Sequence, residues 1–120
     1  MKISALFQEK KAVFSYEVFP PKPTADFTAV QGTVRELAAL RPDYISVTCS
    51  AGGTGNTRTA EFAGIIKAAG VEPLAHVTCL HASAAEADAT LRGLKDAGIE
   101  NVLALRGDRI AGAAESRDFA

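Results

Sequence analysis

Polar side chains at the ends of apolar runs could do chemistry in this chain: Glu17, Thr48, His76, Thr78, Arg106 and Asp108. A carboxyl group gives or takes a proton, and an imidazole does either near neutral pH. A guanidinium grips an anion with a planar fork of donors. Hydroxyls orient a polar ligand. Each residue also has a structural explanation. Glu17 stands in the run Ser-Tyr-Glu-Val-Phe-Pro-Pro, where a carboxylate is costly unless paired or functional. A structural ion pair would satisfy it as well as an active site would. His76 by itself fits a satisfied core histidine, and Arg106-Gly107-Asp108 fits a strand-ending turn with a local ion pair. The loop Ser50 to Thr57 carries Gly52, Gly53 and Gly55 ahead of a helix start. Its backbone N–H groups could cradle a phosphate, but the spacing matches neither the P-loop nor the dinucleotide fingerprint. A plain turn is the alternative.

These residues need elements to hold them. Runs rich in β-branched and aromatic residues cover Val13–Phe19, Tyr44–Cys49, Leu74–Leu80 and Val102–Leu105. They recur roughly every 30 residues, the length of a strand-plus-helix unit in a parallel sheet. The intervening segments have helical periodicity. Asp26 is placed to cap a helix whose face carries Phe27, Val30, Val34, Leu37 and Leu40, ended by Pro42. A second helix starts near Thr57, buries Phe62, Ile65, Ile66 and Ala69, and stops at Gly70. A third opens on the capping box Ser83 to Glu86 and runs through Ala87, Leu91 and Leu94 to Gly98. A short leading helix fits the first ten residues. The text after Asp108 is Ala/Gly/Ser-rich and reads as loop or disorder over 109–120.

Side chains alternate along a strand. Ser15, Glu17 and Phe19 share one face of the first strand, and Phe14, Tyr16 and Val18 the other. Tyr44, Ser46 and Thr48 oppose Ile45, Val47 and Cys49. His76 and Thr78 oppose Ala75, Val77 and Cys79. In the fourth strand, Arg106 and Asp108 continue the face of Val102 and Ala104 and are expected on the polar side. One face is then apolar, to lie under helices, and the other gathers polar groups at the strand C-termini. An open doubly wound sheet needs two apolar faces. A (β/α) barrel builds its site on the inner face at those same ends, so the polar second face favours a barrel lumen.

The residues Tyr16-Glu17-Val18-Phe19-Pro20-Pro21-Lys22, Ile45-Ser46-Val47-Thr48, Ala75-His76-Val77-Thr78-Cys79 and Ala104-Leu105-Arg106-Gly107-Asp108 occur in that order at successive strand ends. In this the chain resembles the N-terminal half of the 5,10-methylenetetrahydrofolate reductase family over nearly all of residues 10–108. Departures are Cys49-Ser50 after Val47-Thr48, where many relatives have Tyr-Gly, and Arg109-Ile110, where a proline-containing stretch is common. The resemblance implies an α/β fold of the (β/α)8 TIM barrel class, of which this chain supplies about the first half. It implies FAD at the strand C-termini, with NAD(P)H and methylenetetrahydrofolate as partners. Hydride would pass from the nicotinamide through the flavin to the folate, giving methyltetrahydrofolate. Glu17 would be the catalytic acid that protonates a folate nitrogen, with its carboxyl buried among Tyr16, Val18 and Phe19. Thr48, His76, Arg106, Gly107 and Asp108 would contact the flavin, and the charge of Asp108 would hold down its potential. A homo-oligomer is implied as well.

Composition agrees with a soluble globular domain and excludes other classes. The chain has 120 residues, a net charge of -1, 48% hydrophobic and 22% charged residues. Such values exclude disorder, and the missing basic excess argues against nucleic-acid or membrane-surface binding. No apolar stretch reaches transmembrane length, and the first residues do not form a signal peptide. Cys49 and Cys79 show no metal-ligand spacing and suit reduced core thiols in the cytoplasm. Length is the discordant feature, because a (β/α)8 barrel takes about 250 residues. Four strands and three helices make half of one, with an unpaired edge on the first and fourth strands. Those edges predict self-association. The alternatives are another cofactor-binding barrel enzyme acting on a pterin or phosphosugar, and a catalytically silent barrel fragment used as a binding module.

Overall fold

The computed structural model describes residues 1–20, 26–49, 55–80 and 82–107. The element order is α1 (Ile3–Glu9), β1 (Ser15–Val18), α2 (Phe27–Ala39), β2 (Tyr44–Val47), α3 (Gly55–Ala68), β3 (Glu72–Thr78), α4 (Ala84–Asp96) and β4 (Asn101–Leu105). The strands form one parallel sheet in the order β1-β2-β3-β4. This is an α/β fold consistent with part of a (β/α) barrel. The expected leading helix is present as α1. The expected tail over 109–120, Asp108 and most of the glycine loop lie outside the described residues.

The helices begin and end where their caps dictate. The Asp26 carboxylate accepts from the Thr28 N–H at 2.9 Å. Ser83 and Glu86 satisfy each other's backbone N–H groups, closing the capping box that opens α4. Gly70 and Gly98 follow α3 and α4 with φ of +86° and +76°, the left-handed geometry that glycine adopts without a Cβ penalty. At the end of α2 the turn falls on Arg41 instead, at φ 55°, immediately before Pro42.

The core lies between the sheet and its helices. Ile45 and Val47 of β2, Ala75 and Val77 of β3, and Phe62, Ala63 and Ile66 of α3 are buried together, with Val34 of α2 and Leu94 of α4. Burying an aliphatic side chain of this size contributes about 1.5–3 kcal/mol. Leu91 shares the helical repeat of Ala87 and Leu94 yet is exposed. The helix that α4 packs against is α3.

The N-terminal end of the sheet is closed by α1. Ile3 and Leu6 are buried, and the Ile3 N–H donates to Asn101 Oδ1 at 2.8 Å. Asn101 Nδ2 donates in turn to the Met1 carbonyl and to Glu72 Oε1. The Met1 ammonium meets Glu72 and Glu100. Asp43, just before β2, accepts from the Phe14 N–H at 2.9 Å and from the Lys10 ammonium. That ties the segment leading into β1 to the start of β2. These contacts all lie at the N-terminal ends of the strands.

Candidate functional site

Register decides which side chains face one another. Glu17 pairs with Ser46, Ser46 with Leu74, His76 with Leu103, and Thr78 with Leu105. Paired residues of a parallel sheet point to the same side, so Glu17, Ser46, His76 and Thr78 share the face away from the helices. Within the ladders of β1, β2 and β3 the expectation holds. For β4 it does not. Val102 pairs with Ala75 and Ala104 with Val77, which are helix-face residues. Leu103 and Leu105 are therefore the ones beside His76 and Thr78. The expectation that Val102 and Ala104 continue the polar side is thus corrected, and the ladder ends at Leu105, before Arg106. Arg106 lies beyond the ladder and is exposed, and its carbonyl accepts from the Leu80 N–H at 2.8 Å.

The centre of the polar face is a cluster of three side chains. Ser46 Oγ donates to Glu17 Oε1 at 3.3 Å, and His76 Nε2 lies 3.5 Å from the same oxygen. The side chain of His76 is 10% exposed and that of Glu17 is 52% exposed. The expected burial of the Glu17 carboxyl among Tyr16, Val18 and Phe19 is not found. Alternation sends Tyr16 and Val18 to the opposite face, β1 is an edge strand, and Phe19 is itself 73% exposed. Ser46 is the member of this cluster that the sequence did not single out. Its parity with Thr48 was the available signal.

Above this cluster lies a rim. Thr48 follows β2, its N–H donating to the Val18 carbonyl and its own carbonyl accepting from the Thr59 hydroxyl. Cys49 was expected on the apolar face. It lies past the end of β2, with Sγ 3.5 Å from the Thr78 hydroxyl. Cys79 does pack against the core. Gly107 has φ +86°, and a Cβ there would meet Thr78 Cβ at 3.1 Å. The glycine lets the end of β4 close over Thr78.

The cluster and rim together offer hydroxyls, an imidazole and a carboxylate, with the Arg106 guanidinium exposed just past β4. Such a donor and acceptor set suits the polar edge of a ligand ring. Among the described residues no group of three His, Cys, Asp or Glu could hold a metal ion.

The methylenetetrahydrofolate reductase family model matches residues 2–119. The chain belongs to the methylenetetrahydrofolate reductase family. It is 34% identical over 108 residues to a probable methylenetetrahydrofolate reductase (NADH) of Oryza sativa subsp. japonica, covering 89% of this chain and 18% of that protein. It is 35% identical over 107 residues to methylenetetrahydrofolate reductase 1 of Schizosaccharomyces pombe, covering 85% of this chain and 17% of that protein. It is 31% identical over 107 residues to the 5,10-methylenetetrahydrofolate reductase of Salmonella typhimurium, covering 88% of this chain and 36% of that protein. The chain thus spans about a third of the bacterial relative and under a fifth of the plant and yeast ones. Among the described residues no helix is long and apolar enough to cross a membrane.

Proposed function

We propose that this chain supplies the N-terminal half of a (β/α)8 barrel in an FAD-dependent reductase. The enzyme reduces 5,10-methylenetetrahydrofolate to 5-methyltetrahydrofolate with hydride from NAD(P)H, in the cytoplasm and as a homo-oligomer. The observation that carries this is the convergence of Glu17, Ser46 and His76 on the open face of a parallel sheet, in a chain of this family. FAD, when bound, supplies the hydride relay between nicotinamide and folate. Glu17 gives its proton to a folate nitrogen as the adjacent carbon–nitrogen bond opens, and becomes a carboxylate. His76 and Ser46 flank that carboxyl. Thr48, His76, Arg106 and Gly107 would hold the flavin, and the negative charge of Asp108 would lower its reduction potential.

The test uses the full-length gene product. The purified protein should be yellow with bound FAD, and Glu17→Gln should keep the flavin and its reduction by nicotinamide. Folate reduction should fall by at least about a hundredfold, the usual scale of one general acid. Folate turnover unchanged in the Gln variant would remove Glu17 from the chemistry. A colourless protein would remove FAD.

A further inference from the structure

We infer that Ser46 is a positioning residue that fixes which oxygen of Glu17 delivers the proton. The role assigned to Ser46 rests on the proposed role of Glu17.

Ser46 lies on β2, flanked by β1 and β3, and is buried. A buried hydroxyl needs a hydrogen-bond partner. The bond that Ser46 Oγ donates goes to Glu17 Oε1, its register partner on the neighbouring strand. Glu17 is the opposite case: a long, half-exposed side chain on an edge strand, with rotamer freedom to lose. Of the two residues, the buried hydroxyl is the fixed one and the carboxyl is the one being held.

Both contacts of Glu17 fall on one oxygen. Ser46 Oγ and His76 Nε2 each approach Oε1, and among the described residues no hydrogen bond falls on Oε2. In a protonated carboxyl the carbonyl oxygen is the stronger acceptor and the other oxygen carries the proton. A donor anchored on Oε1 favours Oε1 as the carbonyl oxygen, with the proton on Oε2. Ser46 thereby sets both the direction of the carboxyl and the oxygen that gives up its proton. After transfer, the same hydroxyl continues to donate to the carboxylate.

The test is Ser46→Ala in the full-length gene product loaded with FAD, read as separate half-reactions. Reduction of the flavin by nicotinamide should be unchanged and KM for the folate within about twofold. The rate of folate reduction should fall by about tenfold, the upper end for one hydrogen bond between neutral groups. Ser46→Thr, which keeps the hydroxyl, should restore most of that rate. Equal loss in both half-reactions, no loss in either, or a well-folded Thr variant as slow as Ala would each overturn the role. A second readout needs no cofactor. The ¹³C carboxyl resonance of Glu17, identified by its loss in Glu17→Gln, should move in Ser46→Ala and return in Ser46→Thr; an unmoved resonance would refute the contact. If Glu17→Gln keeps full folate turnover, the acid role itself falls. If Glu17→Gln is inactive and Ser46→Ala is fully active, Ser46 alone is dismissed.

Discussion

Gly107 closes against Thr78 so tightly that a single added carbon would lie 3.1 Å from Thr78 Cβ and 3.3 Å from its Cγ2. Its φ of +86° is also one that side chains rarely adopt. These constraints are independent, and both act on the Gly107→Ala variant. The left-handed backbone alone costs about 1–2 kcal/mol for a residue with a Cβ. Gly107→Ala should therefore lose at least that much stability in urea unfolding, while Gly32→Ala, with open space at its Cβ, should not. Equal stability of the two variants would contradict the crowded rim.

The core makes a second prediction. Ile66 on α3 is fully buried against the strands and neighbouring helices. Ile66→Ala should cost about 2–5 kcal/mol, through lost burial and a cavity that the packed sheet cannot fill. Leu91→Ala, on an exposed site of α4, should cost far less. Similar unfolding midpoints for the two would place the core elsewhere.

Stability should depend on pH through Asp43. The Lys10 ammonium and then the Phe14 N–H hold its carboxyl below the usual carboxylate range. A depressed folded-state value means that the contribution is present above the ordinary value near 3.8 and is lost as pH falls through the folded one. The Asp43→Asn variant should lose stability at neutral pH and show a flatter acid limb. Thermal melts between pH 2 and pH 6 that run parallel for both proteins would exclude Asp43 as the source.

The open edges make a prediction about assembly. Among the described residues β1 and β4 each have one strand neighbour, and Phe14 beside β1 is 74% exposed. Leu103 and Leu105 of β4 are exposed as well. Unpaired edges with apolar neighbours recruit other strands. The isolated 120-residue chain should self-associate in light scattering, and Phe14→Lys should shift it towards monomer. A monodisperse, folded monomer at high concentration would argue against edge pairing.

Asp108 gives a prediction in the holoenzyme. If Asp108 tunes the flavin as proposed, Asp108→Asn should raise the flavin midpoint potential and slow hydride delivery to folate. An unchanged potential in spectroelectrochemical titration would dismiss that role.

Much of the fold is local and was legible in the residues. Asp26 and Ser83 with Glu86 announce their helix starts, and Gly70 and Gly98 their stops, because caps depend on a few consecutive residues. Strand alternation likewise put Glu17, Ser46 and Thr48 on a face opposite Ile45 and Val47. Tertiary structure alone decided the rest. Alternation gives two faces per strand but does not say which one meets the neighbour's polar side; hydrogen-bonded register does, and a one-residue slip reverses it. That is why alternation alone puts Val102 and Ala104 with the polar groups, whereas pairing puts them beside Ala75 and Val77. It is also why the exposure of Glu17 on an edge strand, the convergence of Ser46 and His76 on its Oε1, and the seating of Thr78 under Gly107 could not be read from the chain. Each depends on residues far apart in sequence and brought together by pairing across the sheet.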